Sequence, residues 1–148
     1  MEAQPDFKEL LELLNAHAVE FVIVGAQALA FHGAPRYTGD LDVYVRPSAQ
    51  NAERIMAALE RFGFGDVGLS ASDFAAPDKV VQLGHPPVRI DLMTSLSGVT
   101  WDEVAGGAAQ TSYGGVPVRH IGRQQFITNK KACGRQKDLA DIEALGAD

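Results

Sequence analysis

The chain has 148 residues, 46% of them apolar and 22% charged, and a net charge of −6 at pH 7. That size and balance point to one globular domain, residues 1–148, able to bury a core of its own. No apolar run approaches the length of a membrane span, and the acidic balance argues against a surface built to grip duplex DNA, whose affinity comes from phosphate neutralisation.

Phe7, Leu10, Leu11, Leu13 and Leu14 recur at helical spacing, so residues 6–17 are expected to form an amphipathic helix that covers a sheet. His17 then falls at or just past its C-terminus, where a partial positive charge is favourable. The first twenty residues are acidic and helical in pattern, unlike a secretory leader. Residues 21–24 are an apolar run of the kind a buried strand uses, and Gly25 follows. A helix-like segment over 26–32 is closed by Gly33 and Pro35. Residues 40–45, DLDVYV, read as a second strand.

Pro47-Ser48 marks a turn and a helix start, and 49–62 carries a helical pattern through Ile55, Met56, Leu59 and Phe62, closed by Gly63. Residues 63–79 are rich in Gly, Ser, Ala and Asp, and are expected to be mostly irregular, with one short element within 66–74. Residues 80–83 and 88–92 read as a hairpin over Gly84-His85-Pro86-Pro87. On its second strand Val88, Ile90 and Leu92 share one face, while Arg89, Asp91 and Met93 share the other. A short helix over 101–105 is expected to stop at Gly106-Gly107, with Trp101 as a packing anchor. Two strands flank Gly114-Gly115, a dipeptide suited to a tight hairpin, and Pro117 marks the second as an edge strand. Helices are expected over 124–133 and 136–145, the latter with Leu139, Ile142 and Leu145 on one face and a surface pair between Lys137 and Asp141. Cys133 is the sole cysteine, so no intrachain disulfide can form and a reducing, cytoplasmic location is the default.

Asp40 and Asp42 stand out. Side chains at i and i+2 of a strand share a face, with Cα atoms about 6.5–7 Å apart. Two carboxylates about 4 Å apart repel by roughly 4 kcal/mol at an effective dielectric near 20, so one would tend to keep its proton unless a cation intervenes. Mg²⁺ suits such a pair, because it takes one or two carboxylates and completes its shell with phosphate oxygens. Gly25 lies where a strand passes into a helix N-terminus, whose free N–H groups suit a phosphate. Solvated aspartates at a strand start are the plain alternative.

Taken together, Gly25-Ala26, Asp40-Leu41-Asp42 and Asp91 resemble the signature of the nucleotidyltransferase superfamily of the DNA polymerase β kind. That signature is a glycine pair or Gly-Ser at a helix head, Asp-x-Asp/Glu about ten residues on, and a third carboxylate on a later strand. Arg36-Tyr37-Thr38, Lys130, Arg135-Gln136-Lys137-Asp138 and Asp141 look like the small bacterial members that include the AbiEii-type toxins. The resemblance implies an α/β (α+β) fold, a small mixed sheet with helices packed against it. It also implies a Mg²⁺-dependent enzyme that moves an NMP from an NTP to an acceptor hydroxyl on tRNA, a protein or a small molecule, with an antitoxin as partner. Asp40, Asp42 and Asp91 are then the metal-binding and catalytic carboxylates, and Gly25, Ala26 and Lys130 the nucleotide contacts. Asp91 could instead pair with Arg89, and Lys130 could belong to a solvated helix face. Ala26 departs from the family pattern, since it cannot lend a hydroxyl to the triphosphate, although its backbone N–H remains. This leaves open a nucleotide-binding module that has lost catalysis; with no helical substrate domain read in the sequence, a partner-binding scaffold is a separate alternative. The four histidines show no ligand spacing, and neither a P-loop nor a GxGxxG fingerprint is present.

Overall fold

The computed structural model describes residues 3–34, 39–64, 68–85 and 88–146. In chain order the elements are α1 (Pro5–Ala16), β1 (Phe21–Val24), α2 (Gly25–Phe31), β2 (Asp40–Val45), α3 (Ala49–Phe62), α4 (Ser72–Ala75), β3 (Val80–His85), β4 (Val88–Met93), α5 (Trp101–Gly107), β5 (Ala109–Tyr113), β6 (Val116–His120), α6 (Arg123–Cys133) and α7 (Gln136–Ala144). The expected Arg36-Tyr37-Thr38 segment, Asp66 and the Pro86-Pro87 turn lie outside the described residues.

The strands form one mixed sheet in the order β3-β4-β2-β1-β6-β5. At its centre β1 and β2 are antiparallel, β2 runs parallel to β4, and β1 runs parallel to β6. Strand alternation divides the apolar residues between two faces. Phe21 and Ile23, Leu41, Val43 and Val45, and Ile90 and Leu92 meet α1, α3 and α4 on one face. Val22, Val24 and Tyr44 meet α2, α5 and α6 on the other. Trp101 packs edge-on against Tyr44, ring centroids 5.2 Å apart, as a packing anchor should.

The helix ends follow from local chemistry. Pro5 occupies the first turn of α1, where no N–H is needed, and the Gln4 side chain accepts a hydrogen bond from the Phe7 N–H. Ser48 caps α3 and Gly63 ends it at φ 97°, in the left-handed region that glycine enters without penalty. Thr100 and Glu103 form a reciprocal capping box that starts α5, which ends at Gly107, two residues beyond the expected 101–105 span.

Three further expectations are corrected. β6 is an interior strand, although its pairing with β1 is confined to Ile23 and His120. Pro117 therefore sits on a stretch with β5 as its ladder neighbour, and Asn15 of α1 donates to its carbonyl at 2.7 Å. Proline thus keeps an edge-like position inside the sheet. On α7 the buried residues are Asp138, Asp141 and Ile142, while Leu139 is half exposed, because a charge cluster described below claims the inward face. Asp141, read from sequence as a surface partner of Lys137, is buried and faces Lys130. Among the described residues no helix is long and apolar enough to cross a membrane.

One buried polar side chain ties the layers together. Asn51 is 1% exposed. Its Oδ1 accepts from the Glu20 N–H at 2.8 Å, and its Nδ2 donates to the Glu20 and Arg46 carbonyls at 3.1 and 3.0 Å. It thereby joins α3 to the entry of β1 and the exit of β2. Asn51→Ala strands these backbone groups and is expected to cost about 2–3 kcal/mol, read as a lower urea midpoint at an unchanged slope.

Candidate active site

The parallel register of β2 and β4 sets Asp40 opposite Arg89 and Asp42 opposite Asp91. Register partners point to the same face of a sheet, so these side chains rise together on the side that holds Tyr44. Tyr44 is buried in the core, while Asp42, two residues earlier, is half-buried at the mouth of a cleft of about 470 Å³. Gly25 and Ala26 of α2, Asp40 and Asp42, Asp91 and Lys130 all line this cleft. Residues up to 105 apart in the chain are thus brought into one concavity.

Gly25 has a local reason to be glycine. It adopts φ 68°, and a Cβ built on it would collide with Asp42 Oδ2 and come within 3.0 Å of Asp42 Cβ. The start of α2 therefore lies directly against the carboxylate, with no side chain between them. Ala26 also lines the cleft.

Burial, then the charges of Asp91 and Asp40, push Asp42 up from 3.8 to about 6. Asp91 is also raised, chiefly by burial, against the opposing pull of Arg89. Its Oδ1 is buried and has no hydrogen-bond partner among the described residues. Arg89 lies between two acids: its Nη2 is 3.2 Å from Asp40 Oδ2 and 3.4 Å from Asp91 Oδ2. With the Gln82 amide turned so that its oxygen faces the guanidinium, that oxygen accepts from Nε at 3.0 Å and Nη1 at 3.1 Å.

Opposite charges gather on the α6–α7 hairpin. Gly134 ends α6 in the left-handed conformation and lets α7 fold back. Lys130 Nζ then lies 3.4 Å from Asp138 Oδ1 and 3.8 Å from Asp141 Oδ2, with only 12% of its side chain exposed. Burial alone would raise Asp138, but hydrogen bonds from Arg135 (Nε to Oδ2, 2.6 Å) and the charge of Lys130 outweigh it and hold the carboxyl below its ordinary range. Lys130 is therefore an anchored charge rather than part of a solvated face, and it is near enough to Asp42 to lower its proton affinity. Sequence reasoning did not find the Asp138–Lys130–Asp141 cluster, because its members sit on two helices whose angle is set by one glycine.

Asp40, Asp42 and Asp91 offer the cleft three carboxylates, the ligand chemistry that suits a hard divalent cation. Asp91 Oδ1 has no partner among the described residues, and the charges of Asp91 and Asp40 add to burial in raising the affinity of Asp42 for a proton. Among the described residues no three acidic, His or Cys side chains are already closed around one point. Asp42 and Asp91 are direct neighbours, whereas the Arg89 guanidinium bridges Asp40 and Asp91.

Because the folded, metal-free chain holds the Asp42 proton more tightly than the unfolded chain, ionised Asp42 destabilises the fold above about pH 6, and that cost fades as pH falls toward 3.8. Asp42→Asn is expected to stabilise chelator-treated protein by about 1–2 kcal/mol at pH 7. It should also flatten the rise in stability between pH 6 and 3.8, measured by urea titration across that range.

A family model described as "nucleotidyl transferase of unknown function (DUF2204)" matches residues 3–147. No curated protein sequence matches the chain. Among solved structures, a candidate nucleotidyltransferase from Thermotoga maritima superposes with a TM-score of 0.63 at 12% identity, covering 95% of this chain and 92% of that one. A lincosamide antibiotic adenylyltransferase with lincomycin bound superposes with a TM-score of 0.59 at 12% identity, covering 98% of this chain and 97% of the other. At that identity the two structures establish a shared fold, which is the mixed α/β architecture expected from the sequence. With the family model spanning nearly every residue and the carboxylate cleft set in that fold, the chain belongs to the nucleotidyl transferase family and is a transferase.

Proposed function

We propose that the cleft transfers a nucleoside monophosphate from an NTP to an acceptor hydroxyl and releases pyrophosphate. The observation that carries this reading is the register pair of Asp42 and Asp91 inside a cleft that Gly25, Ala26 and Lys130 also line. Asp40, Asp42 and Asp91 would hold one or two Mg²⁺ ions, which when bound neutralise triphosphate charge and orient the in-line attack. Gly25 and the N–H groups after it would cradle the β- and γ-phosphates, close to Asp42 because no Cβ intervenes. Lys130, held by Asp138 and Asp141, would present a fixed positive charge to the same phosphates. Asp91 would serve as a ligand or accept the proton of the acceptor hydroxyl. The new bond joins acceptor oxygen to the α-phosphorus, and the bond to the pyrophosphate oxygen breaks.

For the acceptor, the likeness of Lys130, Arg135, Lys137, Asp138 and Asp141 to AbiEii-type toxins directs the reading to the 3′ end of tRNA, within a cytoplasmic toxin–antitoxin pair. Arg135 and Lys137 also line the cleft, which supports an anionic acceptor or nucleotide tail there. The net charge of −6 makes a cognate antitoxin or other partner the natural aid to RNA docking. A protein or small-molecule hydroxyl is the other acceptor class, and the fold shared with an antibiotic adenylyltransferase keeps it in the test. Ala26 supports one rival: a module that binds Mg–NTP and transfers nothing.

Purified protein incubated with labelled NTPs, Mg²⁺ and separate tRNA, protein and small-molecule acceptors is expected to label one class and release pyrophosphate. Asp42→Asn should fold normally and lose transfer by about a hundredfold or more; a fully active variant would refute the assignment. Binding of Mg–NTP with no label in any fraction would select the rival. Lys130→Met is expected to raise KM for the NTP more than it lowers kcat, in steady-state kinetics at fixed acceptor.

A further inference from the structure

The acidic side chains of the cleft already have a cation of the chain's own. Arg89 precedes Asp91 by two residues on β4, so strand alternation places both on the cleft face. Its guanidinium reaches three strands at once: with the Gln82 amide oxygen turned toward it, Gln82 on β3 accepts from Nε and Nη1, while Nη2 faces Asp40 on β2 and Asp91 on β4. The planar fork is thus fixed by Gln82, and the nitrogen at its tip takes the place between two acidic oxygens. Arginine does not deprotonate in proteins, so this charge cannot be removed by proton loss. A divalent ion reaching Asp40 and Asp91 must share them with the guanidinium or displace it. A divalent ion that arrives on a triphosphate brings phosphate oxygens with which Nη2 can pair again.

Building on the metal–triphosphate reading above, we propose that Arg89 is a resident counter-ion that makes the cleft select metal–nucleotide over the bare metal ion. It acts through Asp40 and Asp91, as a positioning residue. An arginine beside a carboxylate weakens its hold on a proton by roughly tenfold or more, and the same field opposes a bare divalent ion.

The test is Mn²⁺ binding, followed by electron paramagnetic resonance, with and without a non-hydrolysable NTP analogue and with no acceptor present. Arg89→Gln is expected to bind Mn²⁺ alone about tenfold or more tighter than the wild type, with no gain for the Mn–analogue complex. Arg89→Lys, which keeps the charge, should stay near the wild type for Mn²⁺ alone. Equal Mn²⁺ affinity in the wild type and Arg89→Gln would overturn the inference while leaving the metal–nucleotide reading intact. An equal gain for Mn²⁺ and for Mn–analogue would also overturn it. Absence of binding by either protein, with or without analogue, would sink the reading of the cleft and this inference together. Should Arg89→Gln fail to fold, the wild type carries the test. The Arg89 side-chain NMR signals must shift when Mg²⁺ is added, and signals unchanged at saturating Mg²⁺ would overturn the proposal.

Discussion

Asp42 and Asp91 face each other across the parallel β2–β4 ladder, and much of the surrounding structure is arranged around that repulsion. Burial is the first cause of the upward shift of both acids; the charges of Asp91 and Asp40 add to it at Asp42, and that of Asp40 at Asp91. The chain offsets part of it with Arg89 and, at longer range, Lys130. Among the described residues it leaves one buried Asp91 oxygen without a partner. Local destabilisation that persists inside an otherwise well-packed sheet is characteristic of a site kept for chemistry rather than for folding.

The apolar layers explain how the sheet tolerates this. On the face toward α1 and α3, β2 and β4 contribute Leu41, Val43, Ile90 and Leu92, all buried. On the other face, Tyr44 is buried beneath the helices, while Asp42, two residues earlier, is only half-buried. A single strand therefore passes from core to cleft within two residues, and the acids are backed by a rigid ladder rather than carried on a loop. Gly25 completes the arrangement by letting α2 begin in contact with Asp42, where any side chain would push the carboxylate aside.

The α6–α7 hairpin supplies fixed charge of the opposite sign. Lys130, Arg135, Asp138 and Asp141 form a network in which Asp138 is fully buried yet held ionised by its two cations. Such networks are costly to desolvate and are retained where they fix the position of one member. Here the positioned member is Lys130, which lines the cleft while Asp138 and Asp141 hold its ammonium. A protein with a net charge of −6 thus carries a local cationic wall beside its acidic floor, a division that net charge alone does not reveal.

Local rules were legible in the residues themselves. Alternation in DLDVYV put Asp40 and Asp42 on one face and Leu41, Val43 and Val45 on the other, and Ser48 and Gly63 bounded α3 to the residue. The same alternation placed Arg89 and Asp91 together on β4. Such features depend on the backbone period and on cap chemistry, which act over a few neighbours. What required the tertiary structure was everything set by distant segments. The β2–β4 register turned Asp91 toward Asp42. The reach of Arg89 to Asp40 depended on that same register. The fold-back at Gly134 put Lys130 against Asp138 and Asp141, so α7 buries acids where apolar spacing pointed to Leu139. Spacing along a chain says which side chains share a face, but long-range strand order and helix angle decide which faces meet, because those are set by burial over the whole molecule.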